Sequence, residues 1–224
     1  MSLSHHKHLR LITMFELNKN LQVHTEKFFH TNLYVIEDFY KDPDEVKSFL
    51  CRTKPPLWKS SEKNQNNGKF FEDRRFNGHD ADLIDAYTYL SKLCNQIPVG
   101  PSDWVVSNMT KFLDKSYNKY NTCYWWPHFD YGYNGIVYLN DDSDNGTNIY
   151  DLTNPNEIHN RPDEEHLDPW RNKNNYRVVK TIVPKYNRMV LFDGMFPHGM
   201  NITTDKFFGD EYRINQVFFF KNDD

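Results

Sequence analysis

The sequence predicts a mainly β fold with N-terminal helices, and three observations carry that prediction. After Gly100, short runs of β-branched and aromatic residues alternate with turn signals: WVVSNMTKF, KYNTCYWW, GIVYLN, TNIYDL, RVVKTIVP, RMVLF and RINQVFFF. Before Gly100, two stretches instead repeat their apolar residues at helical spacing. Aromatics make up 16% of the 224 residues, with 17 Phe and 14 Tyr, a richness that disordered chains lack. Many short strands at this spacing suggest an antiparallel sandwich or barrel.

The length fits one domain, 1–224, large enough to bury a proper core. Residues 1–30 are polar and read as irregular. Residues 31–99 read as a strand and helical layer. NLYVIEDFY (32–40) is a strand leading into a turn, and DPDEVKSFLCRT (42–53) is a helix. Asp42 suits its N-cap, Pro43 its first position, and Asp44 and Glu45 the positive end of its dipole. Val46, Phe49 and Leu50 form its apolar stripe. Residues 54–80 read as a loop, with PP, NQNNG and NGHD as turn signals. A second helix is expected over 80–97, with Leu83, Ile84, Tyr87, Leu90 and Leu93 on one face. Residues 100–224 form the β-core. The polar stretch 153–176 interrupts it and is too long for a simple hairpin turn, so it is expected to lie over the mouth of the core as a lid.

Composition excludes several classes. Net charge is -4 and no long basic run occurs, so nothing argues for nucleic-acid binding. The thiols Cys51, Cys94 and Cys123 are scattered and odd in number, which fits a reducing, cytoplasmic compartment better than a disulfide scaffold. No apolar run approaches a membrane span, and the N-terminus lacks the hydrophobic region of a signal peptide.

The candidate chemistry begins at PHFD (127–130). At a strand end, His128 and Asp130 project to the same face, because side chains alternate with period two. Such a pair can share one metal ion; alone it is equally a surface histidine and a turn aspartate. FPHGM (196–200) offers a third group, His198, after the strand RMVLFDG. Two histidines and one carboxylate form the facial triad of non-haem Fe(II) oxygenases, which leaves three metal positions open. Arg213 opens RINQVFFF, where it shares a strand face with Asn215, Val217 and Phe219. A guanidinium inside a β-core needs an anionic partner. The partner is either the far carboxylate of a dicarboxylate, through bidentate hydrogen bonds, or a structural Asp or Glu.

Together these motifs resemble the 2-oxoglutarate/Fe(II)-dependent dioxygenase superfamily, within its prolyl-hydroxylase-like group. The resemblance covers roughly residues 118–220. It rests on HFD, GIVYLN with the following NGTNIYDL, KYNRMVLFDGMFPHGM and RINQVFFF, in that order. It implies a double-stranded β-helix, a cupin-like jelly roll, with iron at one mouth. It implies Fe(II) held by His128, Asp130 and His198, and the co-substrate 2-oxoglutarate held by Arg213. It further implies hydroxylation with dioxygen and release of succinate. Tyr138 matches a tyrosine that often binds the same carboxylate, and is equally a core aromatic. Asn215 either supports the co-substrate or satisfies a strand neighbour. The chain departs from the family pattern in carrying DNGTN after the YLN strand and in the 153–176 insertion, so the substrate does not transfer. A peptidyl side chain, an amino acid and a small metabolite all stay open.

Two other classes remain. One is a cupin-like metalloenzyme of other chemistry, using Zn(II) or Mn(II). The other is a non-catalytic jelly-roll binding module. Elsewhere, His5, His6, His8, His159 and His166 read as solvated, Arg74 and Arg75 as solvent-facing, and at least one of Trp125 and Trp126 as core.

Overall fold

The structure is a computed structural model that describes residues 14–52, 59–60, 71–77, 83–99, 105–113, 115, 118–140, 145–154, 157 and 169–223. The chain opens with a hairpin, β1 (Gln22–Phe28) and β2 (Thr31–Glu37), closed by Phe29 and His30. Helix α1 (Pro43–Arg52) follows. Asp42 caps it, its Oδ1 accepting the Glu45 N–H at 3.1 Å. Val46 and Leu50 are wholly buried and Phe49 packs beside them. Next come β3 (Lys59–Ser60), β4 (Phe71–Asn77) and α2 (Ile84–Cys94), the helix ending at Asn95 in the left-handed region with φ 54°. Asparagine tolerates that conformation better than bulkier residues.

The remaining elements are strands: β5 (Ile97–Pro98), β6 (Val105–Phe112), β7 (Cys123–Trp125), β8 (Tyr133–Tyr138), β9 (Thr147–Leu152) and β10 (Trp170–Asn172). After a 3-10 turn at Lys173–Asn175 come β11 (Tyr176–Ile182), β12 (Met189–Asp193), β13 (His198–Met200) and β14 (Arg213–Lys221). One sheet runs β1-β2-β12-β8-β14-β6-β4-β3, with β5 paired to β14. A second runs β11-β9-β13, and a third pairs β10 with β7. Every strand pair is antiparallel.

Alternation splits the large sheet into two faces. Val137, Leu139, Met189, Leu191, Ile214, Phe218 and Phe220 point one way, into a core shared with Val46, Leu50, Ala86, Tyr87 and Leu90 of the helices. Ile136, Tyr138, Val190, Phe192 and Val217 point the other way, into a second core shared with Ile149, Val179 and Ile182 of the smaller sheet. The smaller sheet thus closes over the face that the helices leave free. A third cluster, Phe112, Trp125, Trp170, Phe207 and Phe208, gathers β7 and β10 against the end of β6.

Four expectations need correction. Residues 1–30 are not wholly irregular: β1 lies within them, six of its seven residues exposed, so it shows no apolar alternation. The 54–80 loop contains β3 and β4, paired to each other, with β4 also paired to β6; FEDRRFN is too charged to read as a strand. The 153–176 stretch ends in β10 and the 3-10 turn; most of the rest, where a lid was expected, lies outside the described residues. Ile84, expected on the apolar face of α2, is 52% exposed. The helix buries Ala86, Tyr87 and Leu90, and Leu83 before them, which turns Ile84 outward.

A half-buried ion pair fixes β2 to the segment entering β12. Arg188 donates to Glu37 Oε1 through Nε (3.0 Å) and Nη2 (2.6 Å), and Lys185 donates to Oε2 at 3.1 Å. Burial pushes the Glu37 carboxyl upward, but these cations outweigh it and hold it below the usual glutamate range. Glu37→Gln is expected to cost about 1.5–3 kcal/mol in urea unfolding at neutral pH, the range for hydrogen bonds to charged groups. A lowered folded-state pKa means that the carboxylate stabilises above the ordinary glutamate range. That contribution is lost as pH falls through the lowered value, so wild type and variant should converge in acid.

Candidate metal centre

His128 lies just beyond β7, and His198 begins β13. The two residues face each other across an isolated antiparallel bridge: His128 N–H donates to the His198 carbonyl at 2.9 Å, and His198 N–H to the His128 carbonyl at 2.7 Å. Their rings stand 4.5 Å apart between centroids. Asp130, two residues on, has its N–H donating to the Gly194 carbonyl at 2.8 Å, which draws its side chain to the same point. Its Oδ2 lies 3.7 Å from His128 Nε2 and 3.5 Å from His198 Nε2. One donor atom from each of the three residues falls within 4.8 Å of the other two. Atoms bound to one ion at about 2.1 Å on adjacent octahedral positions stand about 3.0 Å apart, so small rotations close the set.

Both imidazoles are oriented in the same way. His128 Nδ1 sits 2.8 Å from the Trp126 carbonyl, and His198 Nδ1 sits 2.9 Å from the Phe196 carbonyl. A carbonyl only accepts, so each Nδ1 carries a proton, and each ring turns its Nε2 inward. Histidines that ligate metals are held by this kind of outer hydrogen bond. Trp126 reaches its place with φ 44°, an uncommon backbone for a bulky residue. Phe192 packs edge-on against the His198 ring at 5.0 Å.

Asn134 on β8 completes the cluster, and sequence reasoning missed it. It is 2% exposed; its Nδ2 donates to Asp130 Oδ2 at 2.6 Å and lies 3.3 Å from His198 Nε2. Burial pushes the Asp130 carboxyl up, but the contact with His198, the charges that both imidazoles carry when protonated and the Asn134 hydrogen bond outweigh it and bring its pKa to about 2. A carboxylate that stays ionised and two imidazole nitrogens turned toward it form a donor set suited to a divalent first-row metal ion.

The backbone approaches this cluster too closely for side chains at two places. A Cβ on Gly199 would stand 2.5 Å from the Trp125 carbonyl oxygen and 2.9 Å from that of Trp126. A Cβ on Gly194 would stand 2.8 Å from the Gly132 carbonyl oxygen. Gly199→Ala is expected to push β13 away from the Trp125–Trp126 backbone. The cost should be about 1–3 kcal/mol, the range for overpacking, read by denaturant unfolding. Ni(II) titration of the same variant should show weakened binding, because His198 moves with β13.

Arg213 begins β14 and is 9% exposed. Its Nε–H donates to the Asn145 carbonyl at 3.1 Å, and its guanidinium carbon stands 5.9 Å from the centre of the Tyr138 ring. Tyr138 is buried, its hydroxyl 2.8 Å from Thr147 Oγ1, and burial raises its pKa above the ordinary tyrosine value. Asn215 pairs in register with Tyr138, and its buried Oδ1 has no hydrogen-bond partner among the described residues. Register places Arg213, Asn215 and Val217 on the sheet face that carries Asn134, Ile136 and Tyr138. That face therefore bears the His128–Asp130–His198 cluster at one end and the guanidinium at the other. Asn134 and Tyr138 are four residues apart, roughly 13 Å along the strand at about 3.3 Å per residue.

Trp125 is core, packed edge-on against Trp170 at 5.1 Å, whereas Trp126 supplies the carbonyl that orients His128. Arg74 and Arg75 fall on β4. His5, His6, His8, His159 and His166 lie outside the described residues. Asn145, the left-handed residue of DNGTN at φ 58°, is buried; its Oδ1 accepts the Thr203 N–H at 3.1 Å and its carbonyl accepts from Arg213.

No helix among the described residues is long and apolar enough to cross a membrane. No family model matches the chain, and no characterised protein matches it by sequence. Among solved structures, the chain is similar to HygX from Streptomyces hygroscopicus, solved with nickel, 2-oxoglutarate and hygromycin B bound. The match has 10% identity over 85% of this chain and 83% of that one, with a TM-score of 0.49. It is also similar to an N-substituted L-amino acid dioxygenase from Burkholderia ambifaria AMMD, at 14% identity over 83% of this chain and 80% of that one, with a TM-score of 0.35. Likenesses at these scores leave the functional assignment to the residues of the centre itself.

Proposed function

We propose that this chain is an Fe(II)- and 2-oxoglutarate-dependent oxygenase of the prolyl-hydroxylase-like kind, built on a double-stranded β-helix core. The observation that carries the reading is the convergence of His128 Nε2, Asp130 Oδ2 and His198 Nε2, with both Nδ1 atoms held by backbone carbonyls. When bound, Fe(II), 2-oxoglutarate and dioxygen supply the oxidation: one oxygen atom enters a substrate C–H bond, and the other enters the succinate left when 2-oxoglutarate loses carbon dioxide.

The protein's own part is binding and orientation. His128, Asp130 and His198 would hold the metal through three donors and leave room for co-substrate and dioxygen. Asn134 fixes the Asp130 carboxylate by donating an Nδ2–H to its Oδ2. Arg213 would pair with the far carboxylate of 2-oxoglutarate, supported by Tyr138 and Asn215. Ile136, Val190 and Val217, the apolar strip between the two ends, would keep water from the bound co-substrate. The substrate is a peptidyl side chain, an amino acid or a small metabolite.

The test is anaerobic reconstitution with Fe(II), followed by titration with 2-oxoglutarate. A visible charge-transfer band, and succinate release on admitting oxygen, are the expected results. Metal binding with no band would favour a cupin-like enzyme of other chemistry. Absence of metal binding would favour a non-catalytic module.

A further inference from the structure

We propose that the groove beside the His128–Asp130–His198 cluster is a pocket for a small, neutral molecule carrying one aromatic ring, with Phe29 as its outer wall. Its role as the substrate subsite rests on the oxygenase reading; its capacity to bind does not.

The groove has a volume of about 400 Å³, and its lining includes Phe29, Phe129, Tyr150, Met195, Phe196 and Pro197, together with Asp151. That volume lies near the lower end of the roughly 300–1,000 Å³ typical of small-molecule pockets. Phe129 sits between His128 and Asp130 in the chain, and Pro197 immediately precedes His198. The groove wall thus includes chain neighbours of the candidate ligands, about 3.8 Å from them between Cα atoms. Phe196 joins the two sites: its carbonyl orients His198, and its ring faces the Phe29 side.

Phe29 is the unusual residue. It occupies the two-residue turn between β1 and β2 with φ 51°, a conformation normally given to glycine or asparagine. It is nonetheless phenylalanine, and it is 63% exposed. Its ring stands 4.9 Å from Phe28 and 5.4 Å from Phe196. Met195 is also exposed, at 53%, on the facing turn. A large apolar side chain held in a strained backbone conformation, and left open to water, points to a ligand that covers it.

The lining chemistry selects the ligand class. Phenyl rings offer edge and face contacts to another ring, and the Met195 thioether adds a favourable sulfur–aromatic contact. The acidic group in the lining, Asp151, is already paired with Arg177 at 2.6 Å. The pair is exposed, and Arg177 already matches the Asp151 carboxylate, so the lining offers a charged guest no unmatched partner. A neutral ring needs none.

The test uses the full chain with Mn(II), and N-acetyl-phenylalanine amide as the probe against N-acetyl-alanine amide. Ligand-observed saturation-transfer NMR reads binding without metal. Paramagnetic broadening by Mn(II) reads proximity to the cluster. Wild type is expected to bind the phenyl probe, to broaden it when Mn(II) is present, and to ignore the alanine analogue. Phe29→Asn keeps a residue suited to positive φ but removes the ring. It should bind Mn(II) as wild type does and bind the probe about tenfold more weakly, equivalent to about 1.4 kcal/mol. Phe29→Tyr should restore binding. Equal binding of both probes, unchanged affinity in Phe29→Asn, or binding only of a capped pentapeptide containing the same phenylalanine would overturn the proposal. If Mn(II) does not bind, the metal reading fails, and the metal-free saturation-transfer signal still decides the groove.

Discussion

His198→Ala, Asp130→Ala and His128→Ala should each abolish tight binding of Fe(II), Mn(II) and Ni(II), while leaving a folded chain. Changes to the outer partners of a metal ligand already cost about 10–100-fold in affinity, so loss of a ligand should exceed about 100-fold. His198→Ala is expected to be the most severe, because that ring is 4% exposed and is fixed by Phe196 and Phe192. Asn134→Ala should fall within the outer-partner range, because it frees Asp130 without removing a donor. Binding should also weaken in acid. The Asp130 carboxyl, at about 2, needs no deprotonation near neutrality. The imidazole Nε2 atoms, however, exchange metal for protons. Calorimetric Ni(II) titration of each variant, with circular dichroism as the folding control, decides the matter. Three alanine variants that bind Ni(II) like wild type would remove the triad as the site.

How much of this was legible in the sequence depended on whether each element's environment repeats along the chain. TNIYDL is read at its true ends, 147–152, because Ile149 and Tyr150 at its centre favour a strand and it is bounded by Asn-Gly on one side and a polar stretch on the other. Helix α1 is read from its cap, its acidic first turn and its stripe, all local features. Strands β1 and β4 were not legible. QVHTEKF is solvent-exposed along nearly its whole length, and FEDRRFN carries four charged residues, so neither alternates in the way that marks a half-buried strand. Their strand character comes from pairing with β2 and β6, which is long-range information.

The same distinction applies to the centre. His128, Asp130 and His198 were nameable because H-x-D and a later histidine form a spaced pattern. Asn134 was not: it lies four residues past Asp130, in a run whose flanking Gly132 and Gly135 suggest only a turn. Its importance comes from the ladder that sets β8 beside β12 and turns Asn134 toward Phe192 and the histidine ring. Phe29 was equally hidden, because an aromatic at a hairpin tip gives no sequence signal until the turn and the groove beneath it are known.

Arg213→Ala should weaken 2-oxoglutarate binding greatly while leaving metal binding nearly intact, which separates the co-substrate end of the site from the metal end. The guanidinium is nearly buried, leans on the Tyr138 ring, and uses its Nε–H on the Asn145 carbonyl. That last bond fixes the direction in which the planar fork presents its two terminal nitrogens. Truncating one partner of a buried, hydrogen-bonded charge pair typically costs about 2–5 kcal/mol, or roughly 30- to several-thousand-fold in affinity. Arg213→Lys should recover only part of the loss, because an ammonium cannot reproduce the fork and cannot also reach Asn145. Tyr138→Phe should have a smaller effect, because its hydroxyl already bonds Thr147 Oγ1. A metalloenzyme without a 2-oxo acid predicts no such dependence on Arg213. Anaerobic titration of the Fe(II) protein, followed through the charge-transfer band, gives the co-substrate affinity of each variant. Ni(II) calorimetry gives the metal affinity in parallel. If Arg213→Ala binds 2-oxoglutarate as tightly as wild type, the guanidinium is structural and the co-substrate must be anchored elsewhere. If both affinities collapse together, β14 has been disrupted, and Arg213→Lys, which keeps the charge, then carries the comparison.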